Sequence, residues 1–209
     1  MSKIKICGLR SLEDITAANL YQPDFVGFVF SQSKRQVQKE QAALLKANLS
    51  KNILAVGVFV NEPADTVCSL AKAGVMDWIQ LHGDEDASYI AQIKKRTGCS
   101  VIKAIRVRCQ ADILQAQALP CDFLLFDTYR VKSYGGTGTR FDWKLIPPHC
   151  TKPFFLAGGL NSSCIVQAVQ TVSPYCVDVS SGVETNGQKD PTKMEEIIRL
   201  VRSAEYEQR

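Results

Sequence analysis

The sequence predicts an eight-stranded parallel β/α barrel, the (β/α)8 or TIM-barrel class, with residues 1–209 forming one domain. Short apolar runs rich in β-branched and aromatic residues recur eight times, at a mean spacing of about 25 residues, which suits a strand, a loop, a helix and a return loop. Helix-like segments separate most of these runs. An open doubly wound sheet is the less favoured alternative, because no GxGxxG motif follows the first run.

The eight runs are short, as strands of a trimmed barrel should be. The predicted strands are Lys3–Ile6, Phe25–Phe30, Leu54–Val60, Trp78–Leu81, Val101–Ile105, Phe123–Phe126, Phe154–Ala157 and Tyr175–Val179.

Helix signals lie between the early strands. Ser11 and Asp14 form a capping pair before the first helix. The segment Lys39–Leu49 is rich in Ala, Leu and Lys, which favour helix. Pro63 suits the first turn of a helix that runs to Lys72.

The later segments are less uniform. The sixth strand is followed by a glycine-rich loop, Ser133–Thr139, after which only a short helix is expected. Asp190 and Pro191 open the last helix, with a capping carboxylate followed by a proline just inside.

Composition excludes several function classes. The net charge of +4 is spread along the chain, which gives no case for a nucleic-acid partner. No apolar stretch is long enough to span a membrane, and the N-terminus lacks the pattern of a signal peptide. The eight cysteines form no CxxC pair and there are two histidines, so we expect no metal site. We expect a cytoplasmic protein with reduced thiols.

In a β/α barrel the functional groups lie at the carboxyl ends of the strands, and the loops after strands seven and eight often bind phosphate. Glycine there lets backbone N–H groups approach an anion closely. Ordinary tight turns are the alternative interpretation. The candidate phosphate-binding residues are Gly158, Gly159, Ser181 and Gly182 in those two loops, with Gly135 and Gly136 in the earlier glycine-rich loop.

Cys7 and Asp127 end strands one and six and are the candidate base and acid. A thiolate can remove a proton and a carboxylic acid can donate one, so together they can move a proton between a carbon and an oxygen of a sugar. Lys5 shares the inward parity of Cys7, and we expect its ammonium to favour the thiolate. Core packing for Cys7 and turn capping for Asp127 remain open alternatives.

The same parity places Gln80, Lys103 and Asp178 on inward faces of their strands. Buried charges must be paired or must bind a ligand, so Asp178 is a candidate for either role. His82 stands at the end of strand four without an evident carboxylate partner, and we expect it at the edge of the site, in contact with substrate or in a structural role.

These residues occur within longer runs that together resemble one family, phosphoribosylanthranilate isomerase of tryptophan biosynthesis. The runs touch every strand end and cover nearly the whole chain. They are KICGL within 3–9, DFVGFVF with SKR in 24–35, VGVFVN at 56–61, IQLHGDE at 79–85, VIKAI at 101–105, FDTYRVKSYGGTGTRFDW at 126–143, FFLAGGLN at 154–161 and VDVSSGVETNGQKD at 177–190.

The resemblance implies a cofactor-free and metal-free Amadori rearrangement. In it N-(5-phosphoribosyl)anthranilate becomes 1-(2-carboxyphenylamino)-1-deoxyribulose 5-phosphate, with Cys7 as general base and Asp127 as general acid. It also implies that Arg35 contacts the anthranilate end of the substrate. Two positions depart from the family's usual pattern: Lys34 stands where proline is common, and Arg10 stands where a small polar residue is common. Both concern substrate binding more than the chemistry.

Two other functions are weighed against the isomerase. One is another phosphosugar isomerase or epimerase, which would use paired carboxylates or metal ligands. The other is a non-catalytic barrel that binds phosphate as a scaffold. The sequence leaves the oligomeric state open between monomer and homodimer.

Overall fold

A computed structural model describes residues 2–128 and 141–204 of the chain. Eight parallel strands close into one barrel in sequence order, with β1 hydrogen-bonded to both β2 and β8, so the predicted fold class is confirmed. The observed strands begin and end within two residues of the predicted ones. They are β1 Lys3–Cys7, β2 Phe25–Val29, β3 Leu54–Phe59, β4 Trp78–Leu81, β5 Ser100–Val107, β6 Phe123–Thr128, β7 Phe154–Leu156 and β8 Cys176–Val179.

Helices pack on the outside of the barrel after most strands. They are α1 Leu12–Tyr21, α2 Lys39–Ala47, α3 Ala64–Lys72, α4 Ala87–Thr97, α5 Gln110–Ala116, α6 Ile165–Val172 and α7 Pro191–Ser203. The predicted caps are present: Ser11 and Asp14 form a capping box on α1, and the Asp190 carboxylate accepts hydrogen bonds from the first turn of α7. Among the described residues, no helix has the length and apolar character needed to cross a membrane.

The segment between β6 and β7 differs from the other units. Where the structure describes it, the only helix is the 3₁₀ turn Trp143–Leu145, as the sequence predicted. A two-stranded hairpin after β8 was not predicted; it pairs β9 Glu184–Thr185 with β10 Gln188–Lys189 in antiparallel fashion. This hairpin places two charged side chains beside the barrel mouth.

Strand register decides which side chains enter the barrel. One hydrophobic cluster fills the lower interior and consists of Phe25, Val56, Ile102, Ala104, Leu125, Phe155, Ala157 and Cys176. Gln80 pairs in register with Ile102, and Asp178 pairs with Lys5, so Gln80 and Asp178 point inward as predicted.

The prediction that Lys103 points inward is wrong. Ile102 and Ala104 on either side of it belong to the interior cluster, so Lys103 faces outward between the sheet and the helices. Its ammonium donates to the Glu85 carboxylate at 2.8 Å and to the Gly83 carbonyl at 2.6 Å. This buried pair fixes the loop after β4 and stands outside the barrel mouth.

Candidate active site

A cleft of about 440 Å³ opens at the carboxyl ends of the strands. Most of the predicted site residues line it: Cys7, Arg35, His82, Asp127, Gly158, Gly159, Asp178 and Ser181. Gly182 does not line the cleft, and Gly135 and Gly136 lie outside the described residues. A larger cavity of about 710 Å³ is bordered by Trp143, Pro147 and Tyr175 and includes none of these residues. We therefore place the site in the smaller cleft, where the polar groups converge.

Cys7 occupies the end of β1 and is almost fully buried. Gly27 is its register partner on β2, and a Cβ there would lie 2.7 Å from Cys7 Sγ and 3.2 Å from Lys5 Nζ. The missing side chain therefore leaves the space that the thiol and the ammonium share. The Lys5 ammonium in turn donates to both carboxylate oxygens of Asp178, at 3.0 Å each.

Opposing effects act on the Cys7 thiol. Burial raises the pKa of Cys7 above its usual value, and the Asp178 carboxylate adds to the increase. The ammonium groups of Lys5 and Lys189 act in the opposite direction and lower this pKa. Lys5 thus acts in the predicted direction and favours the thiolate, but the effect of burial is larger.

Asp127 stands near the end of β6 and is buried. Its Oδ1 accepts a hydrogen bond from the Thr128 backbone N–H at 2.7 Å, and its Oδ2 lies 3.2 Å from His82 Nε2. His82 therefore has a carboxylate partner that was not evident from the sequence. The partner is 45 positions away in the chain and is brought to His82 by barrel closure.

Gln80 lies two residues before His82 and faces the same way. Its amide Nε2 lies 2.8 Å from His82 Nδ1, so one side of the imidazole meets an amide and the other side meets the Asp127 carboxyl. Among the described residues, Oε1 of Gln80 is buried without a hydrogen-bond partner.

The loops after β7 and β8 form one wall of the cleft. Gly158 and Gly159 have φ of +88° and +68°, which favour glycine. A Cβ on Gly182 would lie 2.0 Å from the Leu160 carbonyl oxygen, so Gly182 lets the two loops pack closely. Within the described ranges, the backbone N–H groups of Gly158, Gly159 and Leu160 donate to no protein acceptor. Such N–H groups suit an anion.

Arg35 also lines the cleft and belongs to a charged cluster beside the loop after β8. Its Nε and Nη2 donate to the two carboxylate oxygens of Glu184 at 2.6 and 2.8 Å, and Lys189 Nζ donates to Glu184 Oε1 at 2.8 Å. Burial favours the protonated form of Glu184, but the hydrogen bonds from Arg35 and Lys189 lower its pKa to about 2. Arg35 and Lys189 are cations and Glu184 is an anion, so this cluster at the edge of the cleft, the cationic rim, carries one net positive charge.

Glu184 and Lys189 were not among the predicted site residues. They belong to the run SSGVETNGQKD, which the resemblance includes but to which no roles were given. Lys189 also donates to the Ser180 carbonyl at 2.9 Å, and Ser180 Oγ donates to the Cys7 carbonyl at 3.0 Å. The hairpin therefore connects to the strand that bears the thiol.

Together, the barrel and the polar groups that converge on its carboxyl-terminal mouth define a β/α-barrel enzyme. The family follows from comparison with known proteins. The model of the N-(5'phosphoribosyl)anthranilate (PRA) isomerase family matches residues 4–200, and this chain belongs to that family. The predicted isomerase of tryptophan biosynthesis is confirmed at this level.

Relatives resemble the chain over its length. N-(5'-phosphoribosyl)anthranilate isomerase from Endomicrobium trichonymphae is 47% identical over 203 residues, which cover 97% of this chain and 100% of the relative. The solved phosphoribosyl anthranilate isomerase from Thermotoga maritima has a TM-score of 0.89 at 35% identity, covering 97% of this chain and 100% of that one.

A further solved phosphoribosyl anthranilate isomerase is a complex with reduced 1-(o-carboxyphenylamino)-1-deoxyribulose 5-phosphate. It has a TM-score of 0.86 at 34% identity and covers 97% of this chain and 100% of that chain.

Proposed function

We propose that this chain converts N-(5-phosphoribosyl)anthranilate into 1-(2-carboxyphenylamino)-1-deoxyribulose 5-phosphate, with Asp127 as general acid and Cys7 as general base. The observation that carries the proposal is that a buried thiol and a buried carboxyl, from strands β1 and β6, line one cleft. The solved relative in complex with the reduced product supports the choice of substrate. No cofactor takes part in the proposed route.

The arrangement of the cleft fits the two ends of this substrate. Around the barrel, β7 and β8 lie between β6 and β1, so the phosphate-binding loops stand between the acid and the base. We place the phosphate on the N–H groups of Gly158 and Gly159 and on the Ser181 turn, with Gly182 allowing the loops to close together. Gly135 and Gly136 remain candidates for the same role, while Asp178 acts by holding Lys5.

The anthranilate carboxylate fits the cationic rim. Glu184 occupies the Nε and Nη2 side of the Arg35 fork, so the substrate would meet the Nη1 side. The cluster of Arg35, Glu184 and Lys189 carries one net positive charge, which one carboxylate balances. A neutral aniline ring would lose this interaction, which makes the cluster a specificity element in the proposal.

The chemistry then proceeds by an acid step at the ring oxygen and a base step at C2, followed by tautomerisation to the ketone. Asp127 donates a proton to the ring oxygen as the C1–O bond breaks, and the aniline nitrogen supplies its electron pair to form an iminium. The iminium acidifies the C2 hydrogen, which the Cys7 thiolate removes to give an enolamine. The C2 hydroxyl then returns a proton to Asp127 and C1 takes the proton that Cys7 holds, which gives the ketone and restores both groups for the next cycle.

The thiol must stay reduced for this role, so a reducing compartment such as the cytoplasm is part of the proposal. The proposed partner is the small-molecule substrate, whether the chain acts as a monomer or as a homodimer.

The test follows the anthranilate fluorescence of freshly made phosphoribosylanthranilate with wild type, Cys7→Ser and Asp127→Asn. We expect kcat to fall by a factor of about 100 or more in each variant, with binding of a reduced product analogue retained. Cys109→Ser, an exposed thiol, is the matched control and should leave kcat unchanged. Analogue binding without turnover by folded wild type would instead favour the scaffold function.

A further inference from the structure

The acid Asp127 does not stand alone: it ends a buried row of three polar side chains, Gln80, His82 and Asp127. Gln80 Nε2 lies 2.8 Å from His82 Nδ1, and His82 Nε2 lies 3.2 Å from Asp127 Oδ2. The His82 side chain is 13% exposed and that of Asp127 is 6% exposed, so solvent competes little for these hydrogen bonds.

The observed arrangement matches one protonation state of this row. When the Gln80 amide donates to Nδ1, that nitrogen carries no proton, and Nε2–H donates to Asp127 as a carboxylate. The general acid, however, must hold one more proton. With that proton shared along the bond from Nε2 to Oδ2, the imidazole carries a hydrogen on Nδ1, which then needs an acceptor instead of a donor.

Gln80 offers that acceptor by rotating its amide half a turn, which brings Oε1 to the position of Nε2. In the observed orientation Oε1 is buried and, among the described residues, has no hydrogen-bond partner. No competing bond at the far end of the amide therefore holds it in place. Rotation only exchanges which end of the amide is unpaired, so the protonation of the neighbouring imidazole decides which orientation is favoured.

We propose that Gln80, His82 and Asp127 hold the acid proton as one unit, with the Gln80 amide rotating as the unit gains or loses that proton. The inference rests on the proposed role of Asp127 and deepens it. Gln80 and His82 are positioning residues, because they act on the substrate through Asp127. The unit loses its proton when the Asp127 O–H bond breaks and the ring oxygen gains the proton. It regains a proton from the C2 hydroxyl of the enolamine.

The other charged groups around His82 are compensated or lie across the cleft. Lys103 on β5 faces outward and is paired with Glu85 from the loop after β4. Arg106 on β5 forms an ion pair with Asp84, and Glu62, after β3, borders the cleft. Of these groups, Asp127 is the one in hydrogen-bond contact with the imidazole.

The first test needs no substrate. The chain has two histidines, so ¹⁵N-histidine labelling gives two ring systems, and His149→Gln assigns them. We expect Nδ1 of His82 to be unprotonated at high pH and protonated once the unit is loaded. Gln80→Glu supplies a fixed acceptor and should keep Nδ1 protonated to higher pH. Gln80→Met supplies none and should shift the transition to lower pH.

Kinetics give the second test. Gln80→Met should lower kcat roughly 10-fold with KM within about 2-fold, and should move the alkaline limb of the kcat profile to lower pH, whereas Gln80→Glu should move that limb to higher pH. Gln117→Met is the matched control, because Gln117 is likewise an amide with one buried atom, here Nε2, that has no hydrogen-bond partner among the described residues. Its Oε1 accepts from Thr151, before β7. It should leave both pH profiles unchanged.

The two proposals fail separately. Identical Nδ1 titrations in wild type and Gln80→Glu would overturn the three-residue unit, even if the enzyme turns over phosphoribosylanthranilate. If Gln80 variants do not fold, a wild-type Nδ1 that keeps one state across the range in which activity is lost would overturn it as well. Shifted titrations without turnover would leave the unit standing and remove the proposed substrate.

Discussion

Arg10 and Lys34, which the sequence resemblance marks as departures from the family's usual pattern, are joined by a hydrogen bond: Arg10 Nη1 donates to the Lys34 carbonyl oxygen at 2.9 Å. The same guanidinium reaches the Gly187 carbonyl of the β9–β10 hairpin through Nη2, at 3.2 Å. Arg10 thus connects the loop that bears Arg35 to the hairpin that bears Glu184. Lys34 lacks the backbone restraint that proline would give the loop before Arg35. The long side chain of Arg10 restrains that loop instead.

Arg10→Ser should therefore weaken substrate binding and leave the chemistry intact. Loss of two hydrogen bonds loosens the Arg35 loop, and we expect KM to rise by a factor of about 3 to 10 with kcat within about 2-fold. Steady-state kinetics measure both. Arg96→Ser removes a surface ion pair with Asp65 and should change neither constant. An unchanged KM in Arg10→Ser would show that the loop keeps its place without this link.

Glu184 should stabilise the fold in a pH-dependent way. Its pKa is about 2 in the folded protein against an ordinary 4.5, so its charge stabilises the fold fully above pH 4.5, and this stabilisation is lost as pH falls towards 2. In Glu184→Gln, the free energy of unfolding at pH 7 should fall by up to about 3 kcal/mol.

Urea unfolding of wild type and Glu184→Gln between pH 7 and pH 2 measures this effect. The gap between the two proteins should narrow below pH 4.5. Asp65→Asn, which breaks an exposed ion pair, should give a small gap at every pH. A gap for Glu184→Gln that does not depend on pH would contradict the assignment of the effect to charge.

The barrel was predictable because its strands are apolar runs bounded by turn residues, and because strand ends converge at one mouth. Parity then placed Cys7, Gln80 and Asp178 correctly. It failed for Lys103 because β5 is apolar on both faces, so alternation carries no contrast that would tell inside from outside.

The hydrogen bonds that join His82 to Asp127 and Arg35 to Glu184 could not be predicted from the sequence. His82 and Asp127 are 45 residues apart, and Arg35 and Glu184 are 149 apart, so barrel closure and not local spacing joins them. The hairpin of β9 and β10 has two residues in each strand, which is too short for a periodic signal.

Removal of the Lys5 ammonium should raise the pKa of Cys7 further. Burial already raises this pKa, and Lys5 provides the largest opposing effect. Lys5→Met leaves the Asp178 carboxylate buried without its partner, so the double variant Lys5→Met/Asp178→Asn is the safer comparison. In both variants we expect the pH dependence of Cys7 alkylation and the pH profile of kcat to shift to higher pH. A folded double variant whose thiol titration matches that of Asp178→Asn alone would exclude this role for Lys5.

Gly158→Ala should separate backbone strain from damage to the site. Its φ is +88°, and an added Cβ would lie 2.4 Å from Thr128 Oγ1 and 3.1 Å from Asp127 Oδ1, so the acid must move. Gly98 has φ +68° with nothing within 4 Å of an added Cβ, so Gly98→Ala is its matched control.

Both alanine variants should lose about 1 to 2 kcal/mol of stability from the left-handed backbone. Only Gly158→Ala should also lower kcat, by a factor of about 100, because displacement of the acid by a fraction of an ångström breaks its alignment with the ring oxygen. Thermal unfolding and steady-state kinetics on the pair measure both effects. Equal kcat in the two variants would mean that Asp127 is not held by contact with the Gly158 turn, and its position would then depend on His82 and Thr128 alone.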